Sequence, residues 1–448
     1  MPSILWFRRD LRLTDHPALC DAVAGDDTVV PLFVLDPALL EPAGGPRVRF
    51  MLDCLRALDD DLDGRLVVRT GDPADVVPAL AREVEASAVH ISADFNPYGR
   101  QRDYHVARAL GEVPLQTTGS PYAVSPGRVS KPDGTPYRVY TPFYRAWTEH
   151  GYPRPPKRPA RIDTVSGLRS DRLPAAPDIG DTALPEAGEQ AALRRWADFR
   201  DEHLLKYAED RNRPDIPSTS RLSAYLRWGC IHPRTPLADL ESRTGKGTEV
   251  FRKELAWREF YADVLFHQPD SARDHLQPRY AGLKVDSGKA ADERFAAWAE
   301  GRTGYPIVDA GMRQLRAEAW IHNRIRMVVA SFLVKDLHLG WKEGARHFMR
   351  YLVDGDLASN QHGWQWVAGS GTDASPFYRV FNPVKQGQKF DPSGDYVRRY
   401  VPELRGVDGV AVHTPWDLPA PPDGYPTPIV EHAHERREAL ERYEAIKG

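Results

Sequence analysis

The chain has 448 residues, of which 41% are hydrophobic and 27% charged, and its formal net charge is −3. That length exceeds one ordinary core and predicts two or three domains of a soluble globular protein. No apolar run reaches membrane-spanning length, and the balance of charge does not announce a nucleic-acid binder.

The first apolar run, Ser3 to Phe7, is followed at once by Arg8, Arg9 and Asp10. A secretory signal needs a longer apolar region, so a cytoplasmic protein is expected. Further apolar runs at 28–35, 65–69 and 88–92 alternate with helical patterns at 47–63 and 73–86. This alternation predicts a parallel sheet covered by helices, an α/β domain over 1–124. A Pro-rich stretch, densest between Pro153 and Pro185, reads as an interdomain linker over 125–188. From 189 to 448 helical patterns dominate, among them 251–267, 307–318, 320–338 and 341–353, so the second domain is expected to be all-helical. The charged stretch 431–446 predicts a terminal helix.

Few short motifs carry chemistry alone. Cys20, Cys54 and Cys230 stand far apart and form no zinc or iron–sulfur pattern, so small buried thiols and no metal are expected. Gly245-Lys246-Gly247-Thr248 lacks the upstream glycine and Lys-Ser/Thr adjacency of a phosphate loop, and no Gly-x-Gly-x-x-Gly follows the first strand. Thr219-Ser220-Arg221-Leu222-Ser223 precedes an apolar run. Its hydroxyls either cap a helix or hold an anion. Tyr207 lies twelve residues earlier.

Glu254, Trp257 and Arg258 stand at i, i+3 and i+4 and share one helix face. An acid beside an indole is odd for a core and suited to a flat polar ligand. Asn323 and Met327 repeat the i, i+4 spacing; a core-filling Met with an exposed Asn is the plainer reading. Basic residues outnumber acids between Gly311 and Tyr351, which is either a solvated surface or a phosphate-facing one. The window from Asp354 to Trp366 crowds two acids, Asn360 and two indoles together. It reads either as a polar turn before core tryptophans or as an aromatic, polar pocket. Trp364 and Trp366 differ by two, so on a helix their rings point about 200° apart.

In order, the segments Trp6 to Leu13, Glu254 to Tyr261, Gly304 to Leu315, Trp320 to Met327 and Asp354 to Trp366 resemble the photolyase/cryptochrome family. The chain is most similar to class I cyclobutane pyrimidine dimer photolyases, over nearly its whole length. The resemblance implies FAD in the helical domain, active as a reduced anion, and light-driven splitting of pyrimidine dimers in UV-damaged DNA. It implies that Tyr207, Thr219, Ser220, Arg221, Leu222, Ser223 and Phe251 bind the cofactor. Asp354, paired with Arg326, and Asp356 would hold its ring, with Asn360 at flavin N5. Glu254, Trp257, Asn323, Met327 and Trp366 would contact the dimer, and Arg211, Arg258 and Arg324 the DNA phosphates. Trp364 and Trp341 match an electron relay. Its outer member would fall near Gly288, where there is no indole; either slow photoreduction of the flavin or a detour through Tyr280 or Trp298 is the expectation. His362 stands where the family often has Gly.

The loop Asp94 to Asp103 corresponds to part of an antenna site, for which 8-hydroxy-5-deazaflavin is preferred over methenyltetrahydrofolate. A monomer without an obligate protein partner is expected. The rivals are a signalling cryptochrome, a (6-4) photolyase and a nucleotide-binding enzyme using only the sheet. Asn360 and Met327 speak against the first, the missing histidine pair against the second, and the helical motifs against the third.

Overall fold

The computed structural model describes residues 1–24, 28–372 and 378–447. Five strands, β1 (Ser3–Phe7), β2 (Val29–Leu35), β3 (Val67–Thr70), β4 (Ala88–Ile91) and β5 (Leu115–Thr117), form one sheet in the order β3-β2-β1-β4-β5. All pairings are parallel. Every residue of β1, β2 and β4 is buried. Strands covered on both faces need apolar residues at every position, which is why they read as unbroken apolar runs. The expected strands, and the helices expected over 47–63 and 73–86, lie within three residues of the observed ones. β5 is an addition: its sequence Leu-Gln-Thr is short, half-exposed and at the sheet edge, so it carries no periodic signal.

The Pro-rich stretch is pinned to this sheet. Val29 N–H donates to Asp163 O at 2.7 Å and Val165 N–H to Val29 O at 3.2 Å. Along the edge strand β3, Val68 N–H donates to Ser170 Oγ at 2.9 Å and Asp171 N–H to Val68 O at 2.8 Å. Covering an edge this way blocks pairing with another chain.

The chain divides into two compact units. The first comprises Met1–Ile179, Pro185–Leu205 and Ser220–Pro269; the second comprises Gly180–Leu184, Lys206–Thr219 and Asp270–Gly448. This division does not follow the sequential bounds at 124 and 188. Helices beyond 189 join the sheet unit because buried carboxylates tie them to its loops. Glu189 accepts from Leu13 N–H at 2.8 Å and Thr14 N–H at 2.9 Å. Glu259 accepts from Ala123 N–H at 2.5 Å, Val124 N–H at 3.0 Å and the Trp147 indole at 2.6 Å. Such saturation offsets the cost of burying a charge.

The second unit contains no strand among the described residues and is built on helices Pro306–Glu318, Asn323–Ser331, Trp341–Tyr351 and Leu357–Ala368. They bury Ile307, Met312, Ile325, Val329, Phe348 and Trp364 in one core. Asp309 fastens the entry to the first helix, accepting from Thr303 N–H at 2.7 Å, Thr303 Oγ1 at 2.6 Å, Gly304 N–H at 3.0 Å and Tyr425 OH at 2.6 Å. The helix expected over 320–338 begins only at Asn323. Ala319 at φ +47° reverses the chain, and His322 caps the next helix by accepting from Arg324 N–H at 3.2 Å. The α-helix then gives way to a π turn over Phe332–Asp336. The terminal helix runs from His432 to Glu444. No described helix is long and apolar enough to cross a membrane.

Candidate functional site

In the first unit the helix Lys246–His267 presents Glu254, Trp257 and Arg258 on one face, all half-buried. Its opposite positions, Leu255, Glu259, Phe260 and Asp263, are core. Trp257 stacks on Tyr140 with ring centroids 3.6 Å apart and planes 8° from parallel. Tyr140 is itself held by its hydroxyl donating to Lys253 O at 2.6 Å. The indole is thus fixed as a flat platform. Arg258 is committed inward, donating to Pro121 O at 2.8 Å and Leu226 O at 3.2 Å over the Tyr122 ring. Phe251 lies in an aromatic cluster, 5.3 Å from Trp196 and 4.9 Å from Phe199.

Ser220 to Ser223 also belong to the first unit. The capping expectation for this segment is not met: the helix is Ser223–Trp228, its N-cap is Leu222, and no side chain caps it. Ser220 Oγ instead accepts weakly from Leu222 N–H at 3.4 Å, and Arg221 takes a left-handed φ of +51°. Ser220 O accepts from Arg195 Nε at 2.9 Å. Burial, then the proximity of Arg221, lower the Arg195 pKa. Two guanidiniums beside the hydroxyls of Ser220 and Ser223 suit a phosphate, and Arg195 carried no sequence signal for that role.

In the second unit Asp354 is buried. Its Oδ2 accepts from Arg326 Nη2 at 2.7 Å, while Arg326 Nε donates to Ile321 O at 2.8 Å. Asp354 Oδ1 is buried with no hydrogen-bond partner among the described residues. A carboxylate oxygen in that position fits an N–H donor of a flat ligand, and the residues therefore fit the flavin that the sequence implies. Asp356 caps the following helix by accepting from Ser359 N–H at 3.0 Å. Asn360, one turn further, donates to Ala345 O at 3.1 Å and Gln361 Oε1 at 2.9 Å. Its amide is thereby oriented.

His362 has a structural explanation. Its Nδ1–H donates to Ala358 O at 2.8 Å and its Nε2 accepts from Ser271 Oγ at 3.0 Å. Burial lowers its pKa to about 4, so the ring is neutral. Trp364 and Trp366 diverge as expected: the first is core, the second half-buried with Arg379 5.7 Å from its ring. Trp364 meets Trp298 edge-on at 6.1 Å and leaves no room at Gly344, where a Cβ would stand 2.1 Å from the indole. Trp341 lies 5.9 Å from His275, which stacks on Tyr280 at 6.1 Å.

Asn323 is exposed and Met327 half-buried. Arg324 donates to Asn212 Oδ1 at 2.9 and 3.2 Å and lies over Phe390 at 4.5 Å. Burial, then the nearby Arg211, depress its pKa. Arg211 itself lies 5.7 Å from the Tyr207 ring. Two adjacent guanidiniums make a site for an anion.

Sequence reading missed Tyr140, placed within the linker. A signal existed: Tyr140, Phe143, Tyr144 and Trp147 recur at helical spacing and form the helix Tyr140–His150. Asn212, which carries Arg324, had none.

Comparison with known proteins agrees with this geometry. Residues 3–160 match the family model for DNA photolyase, and residues 251–445 that for the FAD binding domain of DNA photolyase. A deoxyribodipyrimidine photo-lyase of Streptomyces griseus is 40% identical over 461 residues, spanning 100% of this chain and 99% of the relative. A bacterial class III photolyase from Agrobacterium tumefaciens superposes with a TM-score of 0.92 at 37% identity, covering 100% and 98% of the two chains. A cryptochrome of Synechocystis reaches 0.90 at 26% identity, covering 98% of each. The chain belongs to the DNA photolyase family and is a photo-lyase with that family's FAD-binding domain.

Proposed function

We propose that the protein splits cyclobutane pyrimidine dimers in UV-damaged DNA under light, acting as a cytoplasmic monomer. The observation that carries this reading is Asp354, whose one oxygen is fixed by Arg326 and whose other is buried with no partner among the described residues. Bound FAD, as a reduced anion, would supply the excited electron that opens the dimer and would take it back. In the second unit Asp354 and Asp356 orient the ring and Asn360 presents a neutral amide to it. In the first unit Ser220 to Ser223 and Arg195 are offered as phosphate and ribose contacts, and in the second unit Tyr207 and Thr219 take the same role, as the resemblance implies. Phe251, packed against Trp196 and Phe199 in the first unit, is offered as a further cofactor contact, as the resemblance implies.

Toward the dimer, Trp257 offers a stacking face and Glu254 a hydrogen-bond acceptor or donor for the pyrimidine edge, which stabilises charge arriving there. In the second unit Asn323, Met327 and Trp366 are offered as dimer contacts, as the resemblance implies. Extruding a dimer costs less than extruding intact bases, because it already pairs and stacks poorly. Stacking returns about 1–3 kcal/mol per base. Arg211 and Arg324 take DNA phosphates; Arg258 serves by holding the helix that carries Trp257. Trp364 and Trp341 form the relay that reduces the flavin. The aromatic sequence Trp341, His275, Tyr280 supports Tyr280 as its outer member, while Trp298 meets Trp364 directly; both side chains are buried.

At the sheet's switch point between β1 and β4, Arg102 lies 5.1 Å from the Trp6 ring and Arg8 donates to Asp103 at 2.7 Å. Ligands of parallel sheets bind outside such points. The indole and the two guanidiniums there, paired with Asp94 and Asp103, are offered as the setting of a planar antenna, 8-hydroxy-5-deazaflavin in preference to methenyltetrahydrofolate, and the mass of the extracted chromophore tests it.

The activity is tested with oligonucleotides carrying a thymine dimer or a (6-4) photoproduct. Flavin-loaded, reduced protein should restore the dimer substrate in light and not in darkness, and leave the (6-4) lesion intact. No repair of either lesion would favour the cryptochrome reading; repair of the second alone would favour a (6-4) photolyase.

A further inference from the structure

Cys54 and Cys230 stand 176 positions apart in sequence, yet both are fully buried in the first unit with Cys230 Sγ 3.5 Å from Cys54 Sγ. Cys54 lies on the inner face of the helix Gly45–Asp61, among Phe50, Leu55 and Leu58. Cys230 follows the turn that ends the helix Ser223–Trp228. Its N–H donates to Tyr225 O at 2.9 Å, and Tyr225 packs edge-on against Phe50 at 5.8 Å. The preceding Gly229 is left-handed at φ +68°, and a Cβ there would stand 2.0 Å from Arg9 O, so the backbone presenting Cys230 has no latitude. Both sulfurs are thus held in contact by rigid surroundings. Cys20 is half-buried and apart, its Sγ 3.7 Å from Lys157 O.

The geometry points to a disulfide site: Cys54 and Cys230 are a dithiol pair that a peroxide oxidises to an intramolecular disulfide. One sulfur attacks hydrogen peroxide; an S–O bond forms, the O–O bond breaks, and a sulfenic acid and water result. The second sulfur then displaces the sulfenic oxygen, forming the S–S bond and releasing a second water. Two thiols lose two electrons in all, and one peroxide gains them. The second step only closes the sulfurs from contact to about 2.05 Å, which gives it a large advantage over attack by any outside thiol. Burial raises the Cys54 pKa, so the first step is slow and waits on local opening. The pair therefore responds to sustained rather than passing oxidation. The bond would join the helix Gly45–Asp61 to the far end of the helix that begins at Ser223. Closing so long a loop constrains the unfolded chain and stabilises the fold.

The test treats the folded full-length protein with hydrogen peroxide, alkylates under denaturing conditions and maps peptides without reductant. The expected result is a Cys54–Cys230 cross-linked peptide, two alkylatable thiols lost and restored by dithiothreitol, and a Tm raised by a few degrees. Cys20→Ser should change none of this, while Cys54→Ser should abolish it. The mapping of the unaltered protein stands alone if that variant fails to fold. Three alkylated cysteines after prolonged treatment, or sulfinic and sulfonic products without the cross-link, would overturn the assignment.

Discussion

Glu259 in the first unit and Asp354 in the second are both buried carboxylates, and they are satisfied to different degrees. Glu259 takes three donors, two backbone N–H groups and an indole. Asp354 takes one guanidinium on one oxygen and leaves the other without a partner among the described residues. Burial of a carboxyl costs several kcal/mol unless hydrogen bonds offset it. The first arrangement has no capacity left and acts as a clamp. The second stops short of saturation at the position where the resemblance to photolyases places the flavin ring. The fully saturated Asp309 falls with Glu259, whereas Asp263 and Asp336, like Asp354, each leave one buried oxygen without a partner among the described residues, so saturation marks a clamp but does not alone mark a ligand-facing acid.

The comparison breaks most easily at the clamp. Glu259→Ala leaves three buried donors without an acceptor, and we expect a loss of about 4 kcal/mol in urea denaturation. A loss under about 1 kcal/mol would show that saturation is not what stabilises this acid.

A slightly smaller effect comes from His362. Its folded pKa of about 4 lies below the unfolded value near 6.5. Stability from the neutral ring is fully present above about pH 6.5 and is lost as pH falls toward 4, roughly 3 kcal/mol in all. Half-buried His347, also lowered to about 4 by desolvation, acts in the same direction. Replacing His362 with Asn should flatten the acid limb of the stability–pH curve; an unchanged slope contradicts the assignment.

The platform at Trp257 should respond more mildly. Tyr140→Leu removes its stacking partner and is expected to weaken binding of dimer-containing DNA about threefold to tenfold, an effect of about 0.5–1.5 kcal/mol. Binding to undamaged DNA should change little, and equal loss on both would sink the platform role.

These distinctions mark what sequence carries. The apolar runs that became β1, β2 and β4, and the i, i+3, i+4 face of Glu254, Trp257 and Arg258, were legible because local periodicity dictates them. The divergence of Trp364 and Trp366 followed from helical geometry alone. Contacts between distant segments were not legible. Nothing local ties Arg195 to Ser220, Asn212 to Arg324, or Cys54 to Cys230. The start of the helix at Asn323 was misplaced because a left-handed Ala319 has no sequence mark. The role of Tyr140 was hidden by reading its segment as linker although its aromatic spacing was helical. Arg258 shows the opposite error: a basic residue on a site-bearing helix, spent on internal carbonyls.

Asp354→Asn offers the most direct test. Arg326 requires an acceptor, so the new amide must turn its oxygen to Arg326 and its NH₂ to where Asp354 Oδ1 now lies. A donor then replaces an acceptor with almost no change in shape. The account predicts a folded protein whose Tm without flavin stays within a few degrees of the parent, and whose FAD content by visible absorbance falls at least about tenfold, the loss of one charge-assisted hydrogen bond. Full FAD occupancy in that variant would contradict it.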